Sequence, residues 1–281
     1  MAAVDVRSLR KSYGEHEAVR GITFAIAEGE VFCLLGPNGA GKTTTIEILE
    51  GYRTRDAGEV SVLGLDPQRR DRALRERIGV VLQHSDSWPN VTVAETLGIY
   101  AGYYRRPRDV DEVIALVGLG EKRDARVKTL SGGQKRRLDL ALALVGDPDL
   151  VFLDEPTTGF DPQARRNAWE MVRGLRALGK TILLTTHYLD EAQQLADRVA
   201  VLRDGVIVSE GTPSELMASS RTEIRYRENG TVKVLATEEP TRLLHELTSR
   251  AVAEGRELEE LEVRRSSLED VYLELLRETA E

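Results

Sequence analysis

Gly36-Pro37-Asn38-Gly39-Ala40-Gly41-Lys42-Thr43 decides the fold of this chain. The stretch fits the pattern G-x-x-x-x-G-K-[ST]. Its glycines let the backbone curl until several N–H groups point at phosphate oxygens. A helix from about Thr43 to Glu50 would turn its positive end toward the same oxygens. Lys42 adds a charge for the β- and γ-phosphates, and Thr43 offers a hydroxyl to Mg²⁺. The run Val31-Phe32-Cys33-Leu34-Leu35 just upstream suits a buried parallel strand. A strand, a glycine loop and a helix in that order predict a bound nucleotide rather than a bare turn.

Two further stretches carry chemistry. Leu150-Val151-Phe152-Leu153 reads as a second buried strand, and it ends in Asp154-Glu155. Asp154 is placed to hold Mg²⁺ through water. Glu155 leaves the strand beside it, able to polarise an attacking water. Leu130-Ser131-Gly132-Gly133-Gln134 precedes a helical run. A hydroxyl, backbone N–H groups and a helix N-terminus make another anion site there, although Ser131 alone would be an ordinary N-cap.

The phosphate loop, then Leu130 to Gln134, then Asp154-Glu155 closely after it, is similar to the ATP-binding-cassette (ABC) ATPases, whose signature is Leu-Ser-Gly-Gly-Gln. The resemblance covers about Val4 to Pro213 and implies ATP and Mg²⁺ as cofactors. It implies ATP contacts from Gly36 through Thr44 and from Ser131, Gly132, Gly133 and Gln134, with Thr43, Gln83 and Asp154 at the metal. Glu155, Gln83 and His187 become the catalytic set: the general base, the Q-loop glutamine and the switch histidine near the γ-phosphate. Tyr13 resembles the aromatic residue that stacks on adenine, and Asp161 the acid at the dimer interface. Phe160 stands where the family commonly has leucine. The resemblance also implies a head-to-tail dimer, expected as a homodimer, in which each ATP lies between one copy's phosphate loop and the other's Ser131–Gln134 loop. Thr185 to Ala192 and Ser267 to Leu273 resemble exporter ATPases that drive a separate drug- or antibiotic-exporting permease. That places the chain on the cytoplasmic face of a membrane.

Outward from these motifs, the fold class expected is α/β: a P-loop NTPase core, an N-terminal antiparallel β subdomain and a helical insert over about residues 84–145. Residues 1–213 form the ATPase domain on this reading, and residues 214–281 a small C-terminal α+β domain. Strands are expected over Val4–Ala27, Glu59–Leu63, Ile78–Gln83 and Ile182–Thr186, with a hairpin at Asp204-Gly205. Asp161-Pro162 marks a helix start, and Gly179 its end. In the tail, two strands flank Asn229-Gly230. A helix starts at Pro240, and a last one carries Leu268, Val271, Tyr272, Leu275 and Leu276 on one face. Arg69, Arg70, Arg72, Arg75 and Arg77 read as a solvated helix face.

Composition narrows the function classes. A chain of 281 residues with 41% hydrophobic and 31% charged residues is globular and buries its core without disulfides, Cys33 being its only cysteine. Cys33 reads as a small buried hydrophobe. A net charge of −8 argues against general nucleic-acid binding, which leans on Lys and Arg. No apolar run approaches the ~20 residues a membrane helix needs, so a transport path would belong to another protein. Cassette ATPases that act on ribosomes or DNA usually carry two cassettes or a long central coiled coil, and neither is apparent. A metabolic P-loop kinase would leave Leu130–Gln134 and His187 unexplained.

Overall fold

The computed structural model describes residues 2–81, 88–218, 222–228, 230–264 and Tyr272. The chain divides into two compact units, residues 1–210 and 211–281.

The first unit contains two sheets. Strands β1 (Ala2–Tyr13), β2 (His16–Ala27) and β4 (Ala57–Val62) form an antiparallel sheet in the order β2-β1-β4. The hairpin between β1 and β2 is longer than its valine alternation suggests, and the pairing Tyr13↔His16 closes it. Its inward positions, Val4, Val6, Leu9, Ile22 and Ile26, are buried. They meet the second sheet, where Phe24 stacks on Phe32 with ring centroids 5.3 Å apart.

That second sheet has the order β5-β6-β7-β3-β8-β9. Strands β3 (Val31–Leu35), β5 (Ile78–Val81), β6 (Leu150–Asp154), β7 (Thr181–Thr186) and β8 (Arg198–Arg203) are parallel. Strand β9 (Val206–Gly211) returns beside β8 through Asp204 and Gly205, both at positive φ. Positive φ at both central residues is what a tight hairpin of this hand requires. Every residue of β3 and β7 is buried, Cys33 included. Because both faces of the central strands are covered, these segments lack alternation and read as continuous apolar runs. The C-terminal ends of β3, β6 and β7 lie side by side, and loops leaving that edge build the site.

Helix α1 (Lys42–Leu49) follows β3 after the loop from Gly36 to Gly41. Between β5 and β6 lie α3 (Val93–Ala101), α4 (Val110–Leu116) and α5 (Gly132–Leu144). Reciprocal capping boxes start two of them, Thr92 with Glu95 for α3 and Ser131 with Gln134 for α5. Helix α6 (Pro162–Ala177) starts at an Asp161 cap and feeds β7, and α7 (Leu189–Leu195) feeds β8.

The arginine run does not form one helix face. Arg69 ends a 3₁₀ turn, Arg70 caps it with φ 53°, and only Arg72 and Arg75 lie on α2 (Arg72–Arg75). Arg77 pairs instead with Asp149 at 2.6 Å. Asp66 and Asp71 each cap a new turn, and that punctuation splits the run.

The second unit contains α8 (Pro213–Ala218), β10 (Thr222–Glu228), β11 (Thr231–Thr237), α9 (Pro240–Ala253) and β12 (Glu259–Arg264). The sheet order is β11-β10-β12. Ile224 and Tyr226 of the central strand are its buried core. Strand β12 was not anticipated. Leu261 and Val263 alternate, but four charged residues surround them and the whole strand is exposed. The last helix expected around residues 267–276 lies outside the described residues apart from Tyr272, and so does Gln83.

Candidate active site

The end of β3 opens a cleft of about 910 Å³ lined by Tyr13, Asn38, Gly39, Gly41, Lys42, Thr43 and Thr44, with Glu155, Thr158 and Phe160 opposite. Its floor is the loop from Gly36 to Gly41. Two glycines there are dictated by sterics. A Cβ on Gly36 would stand 2.2 Å from the Leu202 carbonyl oxygen. Gly41 has φ +101°, and its Cβ would stand 2.4 Å from the Ala18 carbonyl oxygen. The loop thus passes closer to neighbouring backbone than any side chain permits. No side chain caps α1, so its first amides are left for a ligand.

Lys42 is 4% exposed. Its ammonium donates to the carbonyls of Gly36 (2.9 Å) and Pro37 (3.1 Å), which draws the chain over it. The Glu155 Oε1 atom lies 3.2 Å away. The cation is therefore held by two dipoles and one carboxylate.

Thr43 donates to Asp154 Oδ2 at 3.1 Å. On its other side Asp154 Oδ1 accepts from the Thr185 hydroxyl. The hydroxyl and carboxylate oxygens at positions 43 and 154 are the donor set a small hard cation prefers. Among the described residues no cluster of three His, Cys, Asp or Glu side chains could cage a metal alone. A Mg²⁺ here would take most of its remaining ligands from water and phosphate, the habit of that ion.

Glu155 has φ 45°, unusual for a side chain of this type. Such a residue costs about 1–3 kcal/mol unless its surroundings fix it. Here its N–H donates to Thr185 Oγ1 at 3.0 Å, so one threonine braces both acids. The carboxyl receives the Thr158 hydroxyl at 3.2 Å and lies 3.4 Å from His187 Nδ1. That nitrogen is buried and has no hydrogen-bond partner among the described residues. Burial alone would push the Glu155 carboxyl up. The Lys42 ammonium and its hydrogen bond, His187 and the Thr158 hydroxyl together outweigh burial and hold it below the usual range. The group is a carboxylate at neutral pH, as a general base must be.

Tyr13 is 41% exposed at the hairpin tip, with Lys11 Nζ 5.6 Å and the Arg53 guanidinium carbon 5.5 Å from its ring centroid. A ring so placed, at the rim of the cleft, is accessible to a planar base.

Ser131 accepts from the Gln134 amide at 3.3 Å, and Gln134 Oε1 accepts from the Ser131 amide at 3.0 Å. Within one chain this loop is a helix cap. Gly132 reaches the main cleft, whereas Ser131, Gly133 and Gln134 line an adjoining one of about 260 Å³ with Phe160. Asp161 likewise acts as a cap, accepting from Gln163 and Ala164 at 2.9 and 2.8 Å. The structure thus brings Tyr13, the phosphate loop, Asp154, Glu155 and His187 together.

Residues not singled out from sequence complete the site. Thr185 and Thr158 position the two acids, and Lys135, Arg136 and Asp139 on one face of α5 line the main cleft. The spacing of 132, 135, 136 and 139 on a helix was the available signal for that face.

Comparison with known proteins identifies relatives of this chain. The family model described as ABC transporter matches residues 19–158. The chain is 48% identical over 223 residues to the Nod factor export ATP-binding protein I of Paraburkholderia xenovorans (strain LB400), covering 78% of this chain and 73% of that protein. It superposes on a dimeric post-hydrolysis ATP-binding cassette bound to ADP and Pi with TM-score 0.66 and 26% identity, over 74% of this chain and 98% of that one. An ATP-binding subunit of an ABC transporter matches with TM-score 0.72, over 98% of this chain and 100% of the other. At 22% identity that likeness speaks to the fold alone.

Proposed function

This chain belongs to the ATP-binding subunits of ABC transporters and is an ATPase, and from that premise we propose that it drives a separate membrane permease as the motor of an exporter. The observation that carries the reading is the carboxylate of Glu155, set in the phosphate cleft 3.2 Å from Lys42 and 3.4 Å from His187. A base in a cleft that also holds a phosphate cation can act on water beside a terminal phosphate.

Tyr13 stacks on the base, the Gly36–Thr44 amides cradle the phosphates, and Lys42 leaves Glu155 for the β- and γ-oxygens. Thr43, Asp154 and Gln83 would hold Mg²⁺, which would supply neutralisation of phosphate charge. Glu155 orients and deprotonates water, and His187 contacts the γ-phosphate. The Ser131–Gln134 loop serves the ATP of a second copy of this chain, so the working unit is a homodimer with two composite sites. ATP-dependent closure of that dimer follows from contacts made to the γ-phosphate alone. The C-terminal domain, residues 214–281, contributes assembly or regulation rather than chemistry.

Among the described residues no helix is long and apolar enough to cross a membrane. The path for cargo would lie in the permease, and this chain would sit on its cytoplasmic face. The test is co-purification from membranes. A tagged chain should bring down a polytopic membrane protein, and that protein should raise phosphate release in vesicles. Retrieval of ribosomal proteins in place of a membrane protein would overturn the transport reading.

A further inference from the structure

Helix α6 bears a stripe of Arg165, Trp169, Arg173 and Arg176 that faces α7 and the start of β8. Arg165 stacks its guanidinium on Tyr188, 4.2 Å from the ring centroid, and pairs with Asp190 at 3.1 Å. Trp169 Nε1 donates to Glu191 Oε1 at 3.3 Å. Arg173 donates to Gln194 at 3.2 Å, and Arg176 pairs with Asp197. The three outer rungs are surface contacts of the kind that contribute little. The Glu191 rung differs, because that side chain has no solvent exposure at all. A fully buried carboxyl on a surface-facing ladder is costly and calls for a reason.

Its neighbours supply one. The hydroxyls of Thr186 and Thr157 both face the Glu191 carboxyl. Thr186 immediately precedes His187, and its Oγ1 accepts the Tyr188 amide at 2.9 Å, closing the turn that carries the histidine. Thr157 follows Glu155 by two residues and is 1% exposed. The Glu191 carboxyl thus faces one hydroxyl on each of the two segments whose residues Glu155 and His187 meet across the cleft at 3.4 Å. Among the described residues neither Glu191 Oε2 nor Thr157 Oγ1 has a hydrogen-bond partner. Two orphaned buried polar atoms would each cost about 1–3 kcal/mol. Burial pushes the Glu191 carboxyl up, Asp190 adds to this, and donation from Thr186, Thr157 and Trp169 opposes it.

We propose that Glu191 is a positioning residue for ATP hydrolysis, a buried pin that sets Glu155 and His187 at working distance by holding the Thr157 and Thr186 segments together. The inference rests on the reading of Glu155 and His187 as the hydrolytic pair. Glu191 touches neither phosphate nor water. Its loss loosens the pair and leaves the phosphate loop, which belongs to other elements, in place. Misplacement of a reacting group by about 1 Å costs on the order of 100-fold in rate.

The experiment compares wild type with E191A, E191Q and W169F, and with E155Q as a control for the pair itself. Phosphate release gives kcat, a fluorescent ATP analogue gives Kd, and each rate is normalised to folded protein. E191A should lower kcat at least about tenfold with Kd unchanged, because geometry is lost and binding is not. E191Q offers an amide N–H to Thr157 and an oxygen to Trp169, and should recover to within about threefold of wild type. W169F keeps the ring, removes the donor, and should lower kcat in the same direction by less. A purely structural Glu191 would lower melting temperature but leave kcat per folded molecule at the wild-type value, which overturns the proposal. Should E191A fail to fold, the decision passes to W169F, and wild-type kcat in that variant overturns it equally. Normal turnover in E155Q would instead reject the pair on which the inference stands.

Discussion

Replacing Glu155 by Gln separates the two tasks proposed for that carboxyl. The amide is isosteric, so the side chain fills the same space, and the backbone bond from the residue 155 N–H to Thr185 Oγ1 is kept. Its oxygen can still accept from Lys42 at the present 3.2 Å. Its nitrogen replaces the oxygen that faces the Thr158 hydroxyl and His187 Nδ1, and the hydroxyl can accept from it. The charge and the basic lone pair are what disappear. A positioned general base contributes on the order of 10²–10⁴-fold, or about 2.7–5.5 kcal/mol of barrier. Turnover should fall by at least about a hundredfold on that ground. Binding should move the other way. An arriving phosphate must take Lys42 from a carboxylate, and a charge pair at 3.2 Å is worth about 5 kcal/mol before solvent competition, taking an effective dielectric of about 20. Most of that gross figure is cancelled by hydration and by the Gly36 and Pro37 carbonyls. A net gain of about 1.4 kcal/mol, or about tenfold tighter ATP, is expected. Stopped-flow phosphate release and titration with a fluorescent ATP analogue read the two effects independently. Turnover within about threefold of wild type would refute the assignment of Glu155 as base.

Three other outcomes follow from the same site. Lys42→Ala should weaken ATP binding by about 10–100-fold, the range of a charged hydrogen bond lost, read by the same titration. It should also remove the acid-side contribution of Glu155 to stability, which in the wild type is present above the ordinary glutamate pKa and lost as pH falls through the depressed folded value. Gly41→Ala forces a Cβ to 2.4 Å from the Ala18 carbonyl at φ +101°, and should abolish nucleotide-induced thermal stabilisation. Glu50, at the end of α1, is pushed up to about 8 by burial, with Asp154 and Glu47 adding to it. The folded state keeps a proton there that the unfolded chain has released, so stability should fall as pH rises from the ordinary glutamate range to about 8 and then level. Urea midpoints across that window should show a shallower slope for Glu50→Gln, and an unchanged slope would contradict it.

Much of the core was legible because local chemistry and global position agree there. The phosphate loop requires glycine at positions 36 and 41 for steric reasons that leave a residue-level signature. Asp161-Pro162 and the Ser131/Gln134 pair are cap signals whose partners are within four residues. The edges were harder. The hairpin β1–β2 owes its full length to pairing that runs to Tyr13, where Lys11 and Ser12 show no alternation. Strand β12 is held by β10 and hides its short alternation under charge. The braces of the site were least legible. Thr185 meets Asp154 from 31 residues away, and Glu191 meets Trp169 from 22, distances over which sequence pattern carries no register.

The composite site is the account's central claim, and mixing two dead variants tests it most directly. Lys42→Ala lacks the phosphate cation, and Ser131→Arg blocks the loop that would face a partner's ATP. In a mixed dimer one site carries both lesions and the other carries neither. Phosphate release should return when the two inactive proteins are combined under conditions where subunit exchange is verified by differential tags. Activity no higher than that of the separate variants, with exchange demonstrated, would contradict a site shared between two copies of this chain.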